Sequence, residues 1–200
     1  MRPGELCKVF TRGVPGESHG RRYPRDVGVR RVRADEWEHL RALRVRALEE
    51  SPDSFGSTAF EARRRDEHEW QAWAAAGASS STTAIFVAEE SGRLAGLCGV
   101  FLHEDEPWIG RIVAMWVDPR HRGCRLGEEL LDAASEWSVR QGADELVLDV
   151  TETNEAARRL YGRSGFGETG TTAPLRSNPT LLTVEMRKQL SWPRRCRVSA

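Results

Sequence analysis

The stretch from Val113 to Gly127, VAMWVDPRHRGCRLG, constrains this chain more than any other. Its first five residues are apolar and read as a buried strand. Asp118-Pro119 ends that strand, because proline has no N–H to give to a ladder. A turn rich in arginine and glycine follows, then an amphipathic helix with Leu126, Leu130, Leu131, Ala134 and Trp137 on one face. A strand that feeds a helix through such a turn leaves backbone N–H groups unpaired. It also aims the positive end of the helix dipole at the same point in space. The product is an anion cradle suited to phosphate or pyrophosphate.

The elements around it set the architecture. Residues 27–33 read as a first strand. Asp35 is the expected N-cap of a helix running to about residue 50, with Trp37, Leu40, Leu43, Ala47 and Leu48 as its stripe. Pro52 and Gly56 break the chain at 51–57. A second helix is expected over 59–76, carrying Trp70 and Trp73, with a small-residue loop at 78–81. Residues 84–89 and 94–103 predict a hairpin turning at Ser91-Gly92. The strand of the cradle spans 108–117 and its helix 124–141, closed by Gly142. A strand at 145–150, a helix at 154–164, a short strand at 166–169 and a last strand at 180–186 complete the order β-α-α-β-β-β-α-β-α-β-β. That order describes an α/β (α+β) fold: a mixed, mostly antiparallel central sheet flanked by helices. Residues 27–190 read as one domain, residues 1–26 as a flexible extension without sustained period, and 191–200 as a basic tail carrying Arg194, Arg195 and Arg197.

Composition removes several classes of function. Thirty basic and thirty acidic side chains balance to zero, which gives no support to nonspecific nucleic-acid binding. No apolar run approaches the ~20 residues of a membrane span, and the N-terminus lacks the apolar core of a secretory signal. The expectation is a cytoplasmic protein with neither nucleic acid nor membrane as partner. Cys7, Cys98, Cys124 and Cys196 are scattered without metal-ligand spacing, so neither a metal site nor a disulfide framework is expected.

A second constellation lies downstream, NEAARRLYGRSGF from Asn154 to Phe166. Asn154 begins a helix, Ala157 and Leu160 face inward, and Tyr161 stands one turn from the helix end. Taken alone, Asn154 reads as a cap and Tyr161 as a packed aromatic. Coupled to RGCRLG at 122–127, the pattern resembles the GCN5-related N-acetyltransferase (GNAT) superfamily. Its cradle motif is Arg/Gln-x-x-Gly-x-Gly/Ala, and its second motif, Asn-x-x-Ala-x-x-Leu-Tyr-x-x-x-Gly-Phe, is matched at every specified position. One position departs: where the family has its first cradle glycine, this chain has Arg125. The N–H survives the change, and a guanidinium suits a pyrophosphate. The backbone must then either start the helix with ordinary angles or place arginine at positive φ, with strain.

The resemblance implies direct transfer of an acetyl group from acetyl-CoA to an amine. Amides of Arg122, Gly123, Cys124, Arg125, Leu126 and Gly127 would hold the pyrophosphate. Met115 and Val117 would offer a strand edge to the pantetheine, and Asn154 would bond the same arm. Tyr161 would serve as general acid toward the departing sulfur. Asp149, opposite in alternation to Leu146, Leu148 and Val150, matches an acidic strand position of the ribosomal-protein N-terminal acetyltransferase branch. It is the candidate base; a solvated strand residue is the alternative. The acceptor site in this fold would use the 54–58 segment with Phe55, Trp70 or Trp73, and a loop at 171–180. Glu104, Asp105 and Glu106 form a further acidic cluster, read as a solvated turn. The favoured acceptor is a small-molecule amine. A protein N-terminus and a noncatalytic CoA-binding domain are the alternatives, and a homodimer is one assembly open to the chain. A P-loop is set aside, since GxxxxGK[ST] does not occur.

Overall fold

The computed structural model describes residues 27–191. The expected extension at 1–26, Cys7, Cys196 and the tail arginines Arg194, Arg195 and Arg197 lie outside the described residues. Seven strands form one sheet: β1 (Val27–Arg31), β2 (Thr83–Glu90), β3 (Arg93–Leu102), β4 (Ile109–Val117), β5 (Glu145–Thr151), β6 (Gly167–Leu175) and β7 (Asn178–Gln189). Their order is β1-β2-β3-β4-β5-β7-β6, antiparallel throughout except for the parallel β4–β5 pair. The helices are α1 (Trp37–Glu50), α2 (Ala59–Arg64), α3 (Glu67–Ser79), α4 (Leu126–Arg140) and α5 (Glu155–Arg163). The mixed, mostly antiparallel α/β architecture read from the pattern is the one observed. No helix among the described residues is long and apolar enough to cross a membrane.

Periodicity decides the faces. On α4, Leu126, Leu130, Leu131, Ala134 and Trp137 are buried against Ile112, Leu146, Leu148 and Phe166 on one side of the sheet. On the other side Leu40, Leu43, Ala47 and Leu48 of α1 pack with Trp70, Ala74, Val87, Leu97 and Trp116. The β2–β3 turn places Ser91 at φ 48° and Gly92 at φ 80°, the left-handed pair that a two-residue hairpin between twisted strands requires.

Four local expectations need correction. The helix expected over 59–76 is two helices, because Asp66 accepts a hydrogen bond from the Glu69 amide (2.8 Å) and Glu69 returns one from the Asp66 amide (3.0 Å). That reciprocal capping box starts a new helix inside a continuous apolar period. Asp35 does not cap α1; it lies in a 3-10 turn, Ala34–Glu36, whose Glu36 carboxylate accepts the Arg33 amide (2.8 Å). The small-residue loop at 78–81 begins later, since α3 runs to Ser79. The acceptor loop expected at 171–180 is mostly strand: β6 runs to Leu175 and β7 begins at Asn178.

The sheet is not continuous across its middle. β4 and β5 pair only from Ile109 to Arg111 against Glu145 to Val147, then diverge. Just beyond, Val113 to Trp116 of β4 oppose only Gly99 to Leu97 of β3, with Ala114 at φ 55°. This bulge adds a residue to β4, bends it and sharpens its twist. The result is a V whose limbs are β4 and β5.

Candidate active site

The open V holds a cavity of about 750 Å³. One limb supplies Met115, Trp116, Val117 and the turn leading to α4. The other supplies Val150, Thr151 and the face of α5 with Asn154, Ala157, Leu160 and Tyr161. Residues Glu50 to Phe55 roof it. On β4, Asp118 donates its amide to Ala95 of β3 (2.8 Å), so alternation turns Met115 and Val117 toward the open side. There the Val117 carbonyl is already taken by Arg122 Nε (3.0 Å). The strand edge therefore offers the Val117 N–H and not its carbonyl.

Asp118 builds the turn. Its carboxylate accepts from the Arg120 amide (3.0 Å) and from Arg120 Nε and Nη2 (3.1 and 3.0 Å). Arg120 chiefly, with the Arg120 amide and Arg46 nearby, holds the Asp118 carboxyl down at about 2 against the opposing effect of burial. Beyond the 3-10 turn Pro119–His121, Gly123 (φ 78°) and Arg125 (φ 62°) are both left-handed. The alternative of ordinary helix-start angles at Arg125 is thus overturned. The left-handed well costs an ordinary residue about 1–2 kcal/mol. It swings successive amides toward one side, forming an anion nest.

Among the described residues no protein group accepts from the amides of 123, 124, 125, 126, 127 or 128; the first paired amide of the helix is that of Glu129, on the Arg125 carbonyl (3.0 Å). Six consecutive N–H groups thus stand free at the start of a fifteen-residue helix, the donor set that an anion cradle requires. Arg122 is a correction: its amide donates to the Pro119 carbonyl (3.3 Å), and its guanidinium turns to Val117 and Glu50. Gly123, Arg125, Leu126 and Gly127 line the cavity, whereas Cys124 does not. Gly127 is a close approach, since a Cβ there would stand 2.9 Å from the Leu160 side chain and 3.4 Å from Met115. Glu128 puts a carboxylate beside the cradle, neutralised by Arg163 (3.1 Å) and Arg125 (3.0 Å).

On the far limb Tyr161 is 7% exposed, packed edge-to-face on Phe166 with centroids 6.0 Å apart. Burial, and then nearby Cys98, push its phenol well above the ordinary tyrosine value. Asn154 is both cap and strut: Oδ1 accepts the Ala157 amide (3.1 Å) and Nδ2 donates to Ser54 Oγ (3.1 Å). One Nδ2 hydrogen and one Oδ1 lone pair are what this side chain retains for a ligand.

Asp149 is not brought to this cavity. It lies exposed on β5, receiving Arg111 Nη1 at 2.8 Å on the sheet face opposite Leu146, Leu148 and Val150. Alternation named the correct face, but the crotch of the V and an arginine stand where an acceptor channel was expected. Glu104, Asp105 and Glu106 are exposed between β3 and β4, away from the cavity. Phe55 lines the cavity, while Trp70 is buried in the α1–α3 core against Trp73. Two carboxylates of the roof line the cavity, Glu50 and Asp53, and sequence reasoning missed both; Glu50 is the one held by β4 and the cradle turn. It accepts from Trp116 Nε1 (3.0 Å), Arg122 Nη2 (2.6 Å) and the Ser51 hydroxyl. Burial acts to raise Glu50, but those three donors outweigh it and hold the group below its ordinary value. Its position at the end of α1, next to a proline break, looks like a solvated helix terminus; its donors come from β4 and the cradle turn.

A splayed parallel pair, with free amides on one limb and a buried phenol on the other, is the architecture of an acetyltransferase fold. Residues 38–166 match the family model described as Acetyltransferase (GNAT) family, and the chain belongs to that family. Among relatives, the mycothiol acetyltransferase of Thermobispora bispora is 34% identical over 130 residues, covering 62% of this chain and 41% of that enzyme. The chain thus spans about two fifths of that relative's length. In fold, it is similar to a GNAT-family acetyltransferase of Streptococcus pneumoniae (TM-score 0.68, 23% identity, 83% of this chain and all of that one). It is similar in the same way to yncA of Salmonella typhimurium, solved with its cofactor acetyl-CoA (TM-score 0.68, 20% identity, 87% of this chain and 99% of that one).

Proposed function

We propose that residues 27–190 form a catalytic unit that transfers an acetyl group from acetyl-CoA directly to the primary amine of a small molecule. The observation that carries this reading is the run of six unpaired amides, 123–128, opening on a cavity whose opposite wall is Tyr161. Those amides and the α4 dipole fit a pyrophosphate, and Arg125, Arg159 and Arg163 on the cavity rim favour its charge. The Val117 N–H fits an extended arm laid along the open edge of β4. Bound acetyl-CoA supplies an activated thioester carbonyl; the chain's own groups do the rest.

Tyr161 donates a hydrogen bond to sulfur as negative charge collects there, and a phenol held protonated by burial remains able to do so. Glu50, paired with Arg122, fixes the roof and favours a cationic acceptor approaching across Ser51 to Phe55. With Asp149 on the outer face, the ammonium proton leaves through cavity water. A small amine is favoured because the 50–55 segment roofs the cavity where a peptide would need an open groove, and because the relative at 34% identity is a mycothiol acetyltransferase. The test is acetyl-CoA with an amine panel, read by thiol release, beside calorimetry. Turnover is expected in the wild-type chain, and Gly127→Glu is expected to abolish acetyl-CoA binding by putting bulk and charge in the cradle. Unchanged affinity in that variant would sink the site assignment, and tight binding with no turnover on any amine would make the domain noncatalytic.

A further inference from the structure

A second cavity, of about 270 Å³, lies among α1, α2, α3 and the β6–β7 turn, lined by Arg44, Ser57, Glu61, Arg65, Trp70 and Arg176. Phe55 stands between the two cavities: it lines the first, and the Arg44 guanidinium of the second stacks on its ring at 4.3 Å. Arg44 is only 9% exposed, and its Nη1 is buried without a hydrogen-bond partner among the described residues. Trp70 is 0% exposed, and its Nε1–H is likewise buried and unpartnered.

The electrostatics sharpen the imbalance. Burial, and then the neighbouring Arg65, press the Arg44 guanidinium down to about 10, which leaves it charged at neutral pH. Its charged neighbour is a second cation. The acid lining the cavity, Glu61, is committed elsewhere. It takes two hydrogen bonds from Arg176 (3.0 Å each) and one from the Thr58 amide (2.8 Å). An unpaired buried cation is far costlier than an unpaired neutral group, and a partner of opposite charge would offset that cost.

We propose that this cavity binds a small carboxylate, with the Arg44 guanidinium as its buried partner and Arg65, which lies over the Trp70 ring (5.6 Å), as the second cation. A planar carboxylate matches the fork of a guanidinium, and a cavity of this size admits a small organic acid and excludes a nucleotide. Binding as such does not depend on the acetyl transfer proposed above. The identity of the carboxylate does: it is either the acceptor's own, making the substrate an amino-acid-like amine, or that of a separate small ligand.

The test uses the full chain and needs no acetyl-CoA: thermal unfolding and calorimetry with sodium acetate and sodium succinate, against sodium chloride at matched ionic strength. The carboxylates are expected to raise the melting temperature above the chloride control. Arg44→Met is expected to remove that shift while melting higher than wild type in carboxylate-free buffer, because it deletes the unpaired charge. Arg65→Gln, at an exposed position whose guanidinium lies over the Trp70 ring, is expected to weaken binding about tenfold, with its own melting temperature as the baseline for the shift. An equal response of wild type and Arg44→Met, or an equal shift with inorganic phosphate, overturns the proposal. Comparing KM for amino acids and for their amides then identifies the source. A preference for the free acid that Arg44→Met erases assigns the carboxylate to the acceptor. Carboxylate binding without any acid–amide preference assigns it to a separate ligand. A chain inert toward every amine would leave the carboxylate shift standing, so the two readings fail separately.

Discussion

A phenol at 7% exposure, packed on Phe166, gives up its proton reluctantly. Free tyrosine titrates near 10, and burial raises Tyr161 above that. The sign follows: above the unfolded value the folded state holds a proton that the unfolded chain has lost. The associated stability is therefore complete below about pH 10 and is lost as pH rises beyond it. For the reaction, Tyr161 keeps its donor through the whole working range. Tyr161→Phe is expected to lower turnover by about a hundredfold with acetyl-CoA affinity held within about twofold, and to leave the alkaline limb of the rate profile where it was. A limb that moves in that variant would mean Tyr161 titrates during the reaction. The packed position of Tyr161 on the cavity wall was readable from sequence because it sits in a motif at helical spacing. Asp149 was misread because alternation assigns a side chain to a face without saying what stands there, and Arg111 arrives from 38 residues away. Arg44 carried a signal that went unused: it falls within the buried spacing of Leu40, Leu43, Ala47 and Leu48, a charge at a core position.

At the scale of the element, the strand–turn–helix unit was legible almost whole, because proline, glycine and helical spacing each act locally. Its internal strain was not legible, since RGCRLG admits more than one backbone path. Two predictions separate the parts. Arg125→Gly removes the side chain from a left-handed position (φ 62°) and keeps the amide. It should raise stability by about 1 kcal/mol, partly offset by losing an exposed pair with Glu128, and should leave the cradle competent. A lower melting temperature would show that the Arg125–Glu128–Arg163 chain of ion pairs outweighs the strain. Asp118→Ala should do the reverse, costing about 1–2 kcal/mol as the turn loses its cap. In the wild-type chain the Asp118 carboxyl is depressed to about 2. Its contribution is therefore present above the unfolded value of about 4 and lost as pH falls from there through about 2. Urea unfolding at pH 7 and pH 2.5 should show the gap between wild type and Asp118→Ala narrowing in acid.

Over the whole molecule the V is a liability as well as a site. Three residue pairs join the β4 and β5 limbs before they part, so the cavity's width depends on what ties them at the open end. The 3-10 turn Pro52–Ser54 and Phe55 after it, leaving α1 on one limb, are pinned to the other limb four ways. Thr151 donates to the Asp53 carbonyl (2.6 Å), Asn154 to Ser54 Oγ (3.1 Å), Ser177 at the β6–β7 turn to the Phe55 carbonyl (2.6 Å), and Asn178 Nδ2 to Asp53 Oδ1 (3.4 Å). None of these was visible in the sequence, because each spans about half the chain and uses a residue type common on any surface. Asn154 shows why the distinction between cap and ligand was hard: one side chain caps α5 and closes the roof. The double variant Thr151→Val, Ser177→Ala removes the two shortest of the four ties while leaving the cradle untouched. It is expected to raise KM for the amine by about tenfold, as the roof loses its fixed position, with acetyl-CoA affinity unchanged. Each hydrogen bond is worth about 1 kcal/mol net, so a modest loss of stability accompanies the change. Steady-state kinetics beside acetyl-CoA titration decides the matter: a rise in both constants together would mean that the roof holds the limbs themselves, and a rise in neither would free the acceptor from any contact with the 52–55 segment.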